Sequence, residues 1–476
     1  MMQTYKAHNA VDKQINELCY LSATEALALF KSKSLSPVEL LEAQITRTDA
    51  VESQINAFTY NRFEAARELA KHAEDNYLKD ADNLGALTGI TVALKDEFPM
   101  RGENTTEGSI LLKDNIDKED HPLVERLKDA GAIIHARSNV PEFSSAVFTR
   151  NRLHGTTRNP WNPEYSPGGS SGGSAAALAT GTTTLATGSD IAGSIRVPAS
   201  LCGVVGLKPS YGRVPESDPY YSLDTYNHNG PMARTVEDCA LMFQIINGPH
   251  PNDIASLRPK LEVPTHFDDI KGMRIASSLD LSIFNVDPII RENTIKVCHA
   301  LKDLGAVVEE VDIHWDKSIA IAARSHLGFL MGRDLAGHLS NNRELMDDYS
   351  IELAEIGLAT SAEDYLDSIR VVGGMYAVMG ELLDQYDALI CPTIASSGWP
   401  AEGKTAAFNL ILEECMTWPF NMLSRCPVLS IPSGFADNGV PTGVQIVGRT
   451  YNDLTVLQIG ATLQTVLQWH TQYPPI

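Results

Sequence analysis

Two glycine- and serine-rich segments hold the middle of the chain, Ser166-Pro-Gly-Gly-Ser170-Ser171-Gly-Gly-Ser174 and Gly188-Ser-Asp190-Ile-Ala-Gly193-Ser194-Ile-Arg196-Val-Pro198. They are closed by Cys202-Gly-Val-Val-Gly-Leu-Lys208-Pro-Ser210. Glycine permits positive φ and close backbone approach, and successive exposed N–H groups in such chain form anion-binding nests. So much permissive backbone argues for a site rather than for packing. Two chemistries use nests: phosphate cradling and stabilisation of a developing oxyanion. A phosphate loop needs GxxxxGK[ST], and no Lys-Ser or Lys-Thr pair follows these glycines. Gly168 to Gly172 also fits GxSxG, the nucleophile elbow, but that elbow follows an apolar strand. Here Asn162-Pro163-Glu164-Tyr165-Ser166-Pro167 precedes it, and two prolines argue against a central strand.

Outward from this centre the chain alternates. Ile90 to Leu94 is a short β-branched run ending at Lys95-Asp96-Glu97, a buried strand by pattern. Leu123 to Ala130 reads as a helix and Ala132 to Ala136 as a strand; Asp287 to Leu304 and Ala306 to Val311 repeat the unit. Thr235 opens a further helix that ends by Gly248. The first 80 residues read as helices, with capping boxes at Ser22–Glu25 and Ser36–Glu39. Helices alternating with apolar strands predict a layered α/β fold. No linker or repeat divides residues 1–476, so one domain is expected; the polar stretch 248–265 is a surface loop or a joint. A mostly helical region at about 320–385 is placed as a cover over the site.

Composition narrows the function. The 476 residues are 43% hydrophobic and 21% charged, with a net charge of −22. A chain this acidic, without a basic block, is a poor nucleic-acid or anionic-membrane binder. Seven scattered cysteines, never as CxxC, suggest neither disulfides nor zinc, and no HExxH or Cys/His cluster offers a metal site. No cofactor is expected. The N-terminus lacks the apolar core of a signal peptide, so a cytoplasmic location is expected.

The three motifs, in this order, resemble the amidase signature family. The resemblance extends to Gly89-Ile-Thr-Val-Ala-Leu-Lys95-Asp upstream and to Gly230-Pro-Met-Ala-Arg-Thr235-Val-Glu-Asp238 downstream. Near the C-terminus Ala388-Leu-Ile-Cys-Pro392-Thr, Pro419-Phe-Asn-Met and Gly443-Val-Gln-Ile-Val-Gly448 complete it, so nearly the whole chain is covered. Together with the alternation, the resemblance implies a three-layer α/β/α fold with a central mixed β-sheet wrapped by helices. It implies an amidohydrolase that cleaves a carboxamide C–N bond through an acyl-serine. Ser194 is then the nucleophile, Ser170 a bridging serine whose bond to Gly169 is cis, and Lys95 the base. Ser171 competes with Ser170, and only the family's spacing of 24 residues to Ser194 decides between them. The N–H groups of Ile191, Ala192, Gly193 and Ser194 are the implied oxyanion hole.

The chemistry is self-consistent. A serine hydroxyl needs a proton acceptor, and burial at a strand end lowers a lysine's pKa toward a usable base. Asp190, Arg196 and Lys208 read as structural, and Ser144 as a substrate-binding residue by its place ahead of the motif. Where the glutamine-hydrolysing subunits of tRNA-dependent amidotransferases carry Thr and Gln, this chain has Ile191 and Val197. That tilts the expectation toward an amidase for apolar acyl groups; the alternative is such a glutamine-hydrolysing amidotransferase component. A catalytically inactive binding member is the alternative of another class, opposed by the presence of Lys95, Ser170 and Ser194 together. The expected partner is a small-molecule amide, with a homodimer compatible.

Overall fold

Residues 17–80, 82–218, 220–403 and 407–476 are described by the computed structural model. In chain order its strands are β1 (Phe58–Asn61), β2 (Thr91–Lys95), β3 (Ile133–Ser138), β4 (Arg150–Asn151), β5 (Gly155–Thr156), β6 (Leu185–Ser189) and β7 (Val205–Lys208). They continue with β8 (Asn229–Ala233), β9 (Arg274–Ser277), β10 (Val307–Glu310), β11 (Ala388–Pro392), β12 (Val428–Phe435) and β13 (Pro441–Gly448). Eleven of them form one sheet in the order β1-β3-β2-β6-β8-β7-β12-β13-β11-β9-β10, and β4 and β5 pair separately. The sheet is mixed: β2 runs parallel to β3 and β6, whereas β6–β8, β7–β12 and β12–β13 are antiparallel.

Strand periodicity explains the layers. Successive side chains leave a strand on opposite faces, so a strand covered on both sides is apolar throughout. Val92 and Leu94 of β2 join one core, shared with the helices Pro122–Asp129, Val236–Ile246 and Asp453–Leu467. Ala93, between them, faces the other side, against the helices Gly172–Thr180 and Arg196–Cys202. Leu389 and Cys391 of β11 likewise face a second large core built with helices between Ser318 and Gln385. The result is the three-layer α/β/α arrangement.

Most expected elements occur with shifted ends. The helices Ala23–Lys31 and Pro37–Ile55 both start in complete capping boxes, at Ser22–Glu25 and Ser36–Glu39. The reading of the first 80 residues as purely helical is corrected by β1, which pairs antiparallel with β3 at the edge of the sheet. Four residues between two helices are too short to show a period of their own. The stretch 248–265 carries no helix or strand. No helix among the described residues is long and apolar enough to cross a membrane.

Candidate active site

The parallel neighbours β2 and β6 end side by side, which puts Lys95 and Ser189 at the carboxyl edge of the sheet, where α/β folds collect ligands. Lys95 is wholly buried. Its Nζ lies 2.8 Å from Ser170 Oγ, 2.6 Å from Ser189 Oγ and 2.7 Å from the Glu97 carboxylate. Burial lowers the lysine's pKa, and the opposing pull of the Glu97 charge does not restore it.

The bridging segment enters across Gly168 and Gly169, and the Gly169–Ser170 peptide bond is cis. A side chain at residue 169 would sit 2.7 Å from the Phe148 carbonyl, so glycine alone fits. The two adjacent serines diverge. Ser170 meets Lys95 and borders the cavity. Ser171 turns to the Ser189 carbonyl at 3.5 Å and stands at the start of the helix Gly172–Thr180, its N–H donating to the Ser194 carbonyl at 3.1 Å.

The loop after β6 carries Ser194. Gly193 takes φ +129°, and a Cβ there would fall 2.1 Å from Thr417 Oγ1. Asp190 organises this loop: its carboxylate accepts from the N–H of Gly193 at 2.8 Å, from Arg196 Nε at 2.9 Å and from Asn421 Nδ2 at 2.8 Å. Burial alone would raise the Asp190 carboxyl, but the Arg196 guanidinium and the Asn421 amide hold it well below the usual carboxylate range. Arg196 also reaches Gln445 Oε1 at 2.9 Å and the Thr417 carbonyl at 3.0 Å. The C-terminal motifs containing Asn421 and Gln445 thus brace the Ser194 loop, and the structural reading of Asp190 and Arg196 agrees with their contacts.

One expectation changes. The Gly193 N–H, counted among the oxyanion donors, is engaged by Asp190. The N–H groups of Ile191, Ala192 and Ser194 make no hydrogen bond among the described residues. Ser194 is only 6% exposed, yet its hydroxyl has no partner among the described residues and faces a cavity of about 340 Å³. Ser144 borders this cavity and donates a short hydrogen bond to the Glu97 carboxylate. A smaller apolar recess continues past Ser194 between Ala146, Val147, Leu327, Met331, Phe408 and Ile411. Met331 and Leu327 come from the helical region expected as a cover. Ile191 borders both spaces; Val197, a specificity position by the sequence reading, is instead wholly buried beneath Gly193.

Sequence reasoning missed Glu97, Ser189, Glu107 and the His121–Glu216 pair. Glu97 stands two residues from Lys95 but in the turn that closes β2, its N–H donating to the Lys95 carbonyl at 2.7 Å, so the strand period does not reach it. The others converge only through the tertiary fold. His121 borders the cavity, but both its nitrogens are taken: Nε2 lies 3.0 Å from Glu216, and Nδ1 accepts the Leu123 N–H at 3.1 Å. No group of three metal-binding side chains occurs among the described residues.

Comparison with known proteins identifies the family. The Amidase family model matches residues 39–457. An acylamidase of Rhodococcus erythropolis is 35% identical over 470 residues, covering 96% of this chain and 98% of that one. The A subunit of the glutamyl-tRNA(Gln) amidotransferase of Geobacillus sp. (strain WCH70) is 32% identical over 483 residues, covering 95% and 98%. Among solved structures, a bacterial aryl acylamidase of the amidase signature family superposes with a TM-score of 0.87 at 28% identity, covering 95% of this chain and 98% of its own. A 6-aminohexanoate cyclic dimer hydrolase complexed with substrate gives 0.85 at 26% identity, covering 96% and 99%. The chain belongs to the amidase signature family, enzymes that hydrolyse carboxamide C–N bonds.

Proposed function

We propose that this enzyme cleaves a small-molecule amide through an acyl-enzyme on Ser194, with Ser170 and Lys95 as its proton relay. The observation that carries the reading is the 2.8 Å contact from Lys95 Nζ to Ser170 Oγ, with Ser170 and the unpartnered Ser194 hydroxyl on one cavity. Ser194 passes its proton to Ser170 as Ser170 passes its own to neutral Lys95, and Ser194 Oγ bonds to the amide carbon. The N–H groups of Ile191, Ala192 and Ser194 receive the oxyanion; one such donor is worth about 3–4 kcal/mol of barrier. The relay then runs backwards: the leaving nitrogen takes the proton from Ser170, Lys95 refills Ser170, and the C–N bond breaks. Water attacks the acyl group with the same relay as base, and the carboxylic acid leaves. His121 has no free lone pair for this work.

The amidotransferase reading is disfavoured by the cavity wall. Glutamine presents a carboxylate and an ammonium beside its amide, and a buried carboxylate needs a cation. Among the described residues neither Lys nor Arg lines the cavity or its apolar recess, and His121 is committed to Glu216. The recess suits an apolar acyl group. The test is covalent labelling with a fluorophosphonate probe and peptide mapping. Label on Ser194, lost in Ser194→Ala, is expected; label elsewhere, or labelling undiminished in the variant, refutes the assignment.

A further inference from the structure

Resting on that hydrolase reading, we propose that the substrate is an N-acylated diamine: its amine half carries a second, positively charged nitrogen, and Glu107 is the counter-ion. The relay fixes which half lies where. Ser170 hands its proton to the leaving nitrogen, and Ser170 borders the main cavity but not the apolar recess. The amine half therefore occupies the main cavity, and the acyl half enters the recess between Val147, Leu327 and Phe408.

The main cavity is acidic beyond its own needs. Glu97, Glu107, Glu216 and Asp218 all line it. Glu97 is bound by Lys95, Ser144 and Ser189. Glu216 is bound by His121, Asn227 and Asn229. The exposed Asp218 side chain accepts the N–H groups of Tyr220 and Tyr221. The Glu107 carboxyl has no hydrogen bond or ion pair among the described residues, although it borders the same cavity as the buried, unpartnered nucleophile. Burial and the carboxylates of Glu97, Asp96, Asp334 and Asp218 push its pKa up to about 8. A cation set against it relieves both effects. A cleft of one charge sign also concentrates the opposite charge, and hydrogen bonds between ionised partners are the strong ones.

The test compares three amides at pH 7.5 and low salt. N-butyryl-1,4-diaminobutane and N-pentylbutyramide are isosteric and differ in the terminal ammonium; N-butyl-5-aminopentanamide carries that charge on the acyl side. The wild type is expected to favour the diamine amide over its neutral isostere by about tenfold or more in kcat/KM, the scale of one charge-assisted contact. The acyl-side ammonium should be hydrolysed more slowly than N-pentylbutyramide. In Glu107→Gln the first ratio should fall to about threefold or less, and the wild-type comparison stands even if that variant does not fold. A diamine amide no faster than its neutral isostere, or a ratio unchanged by Glu107→Gln, overturns the charge assignment alone when Ser194 still labels. Absence of turnover together with absence of label on Ser194 overturns the hydrolase reading as well.

Discussion

At Ser170 and Ser171 two neighbouring hydroxyls differ in every contact that matters. Ser170 touches Lys95 at 2.8 Å, whereas Ser171 touches only the Ser189 carbonyl, at 3.5 Å. Ser170→Ala should therefore lower kcat by about 10²–10⁴-fold, the range for losing proton transfer in the transition state. Ser171→Ala should stay within about tenfold of wild type, as read by steady-state kinetics on any hydrolysed amide. Equal losses would show that the helix start, not the relay, was disturbed. The residues of the proposed triad were legible because each lies inside a contiguous motif. Glu107 was not, because nothing near Gly102–Ser109 in sequence marks it as lining the cavity that Ser194 borders.

At the scale of elements, the loop between β6 and the helix Arg196–Cys202 is held by one buried ion pair and its partners. Asp190→Asn keeps the shape but leaves the Arg196 charge uncompensated, which typically costs about 3–5 kcal/mol. Urea unfolding at pH 7 should show that loss; a change under about 1 kcal/mol would mean that Asn421, Gln445 and the carbonyls suffice. The sign with pH follows. The Asp190 carboxyl is held below its ordinary range, so its contribution is full above the unfolded value near 4 and is lost as pH falls toward the folded one. The pair was readable from Asp190 and Arg196 alone. Its bracing was not, since Asn421 and Gln445 stand more than 200 residues away. The same distance effect hid β1, whose strand character comes from the exposed edge of β3 rather than from its four residues.

Across the whole molecule, a chain of net charge −22 encloses a buried lysine beside carboxylates. The layered fold was legible because strands covered on both faces are apolar throughout and helices stop where they begin. The cavity's acidity was not, because its carboxylates come from separate segments. That setting decides when Lys95 can act. Burial lowers its pKa against the pull of Glu97, and in the proposed relay only the neutral amine accepts a proton, so activity is expected to rise with pH. The most direct test is the pH profile of kcat/KM for the wild type, His121→Gln and Lys95→Met. A rising limb centred below the ordinary lysine value of about 10.4 is predicted for the wild type. His121→Gln should keep that limb, and Lys95→Met should lose it with about 10³-fold or more of the activity. A limb abolished by His121→Gln but retained, with near wild-type rates, in Lys95→Met would contradict the account.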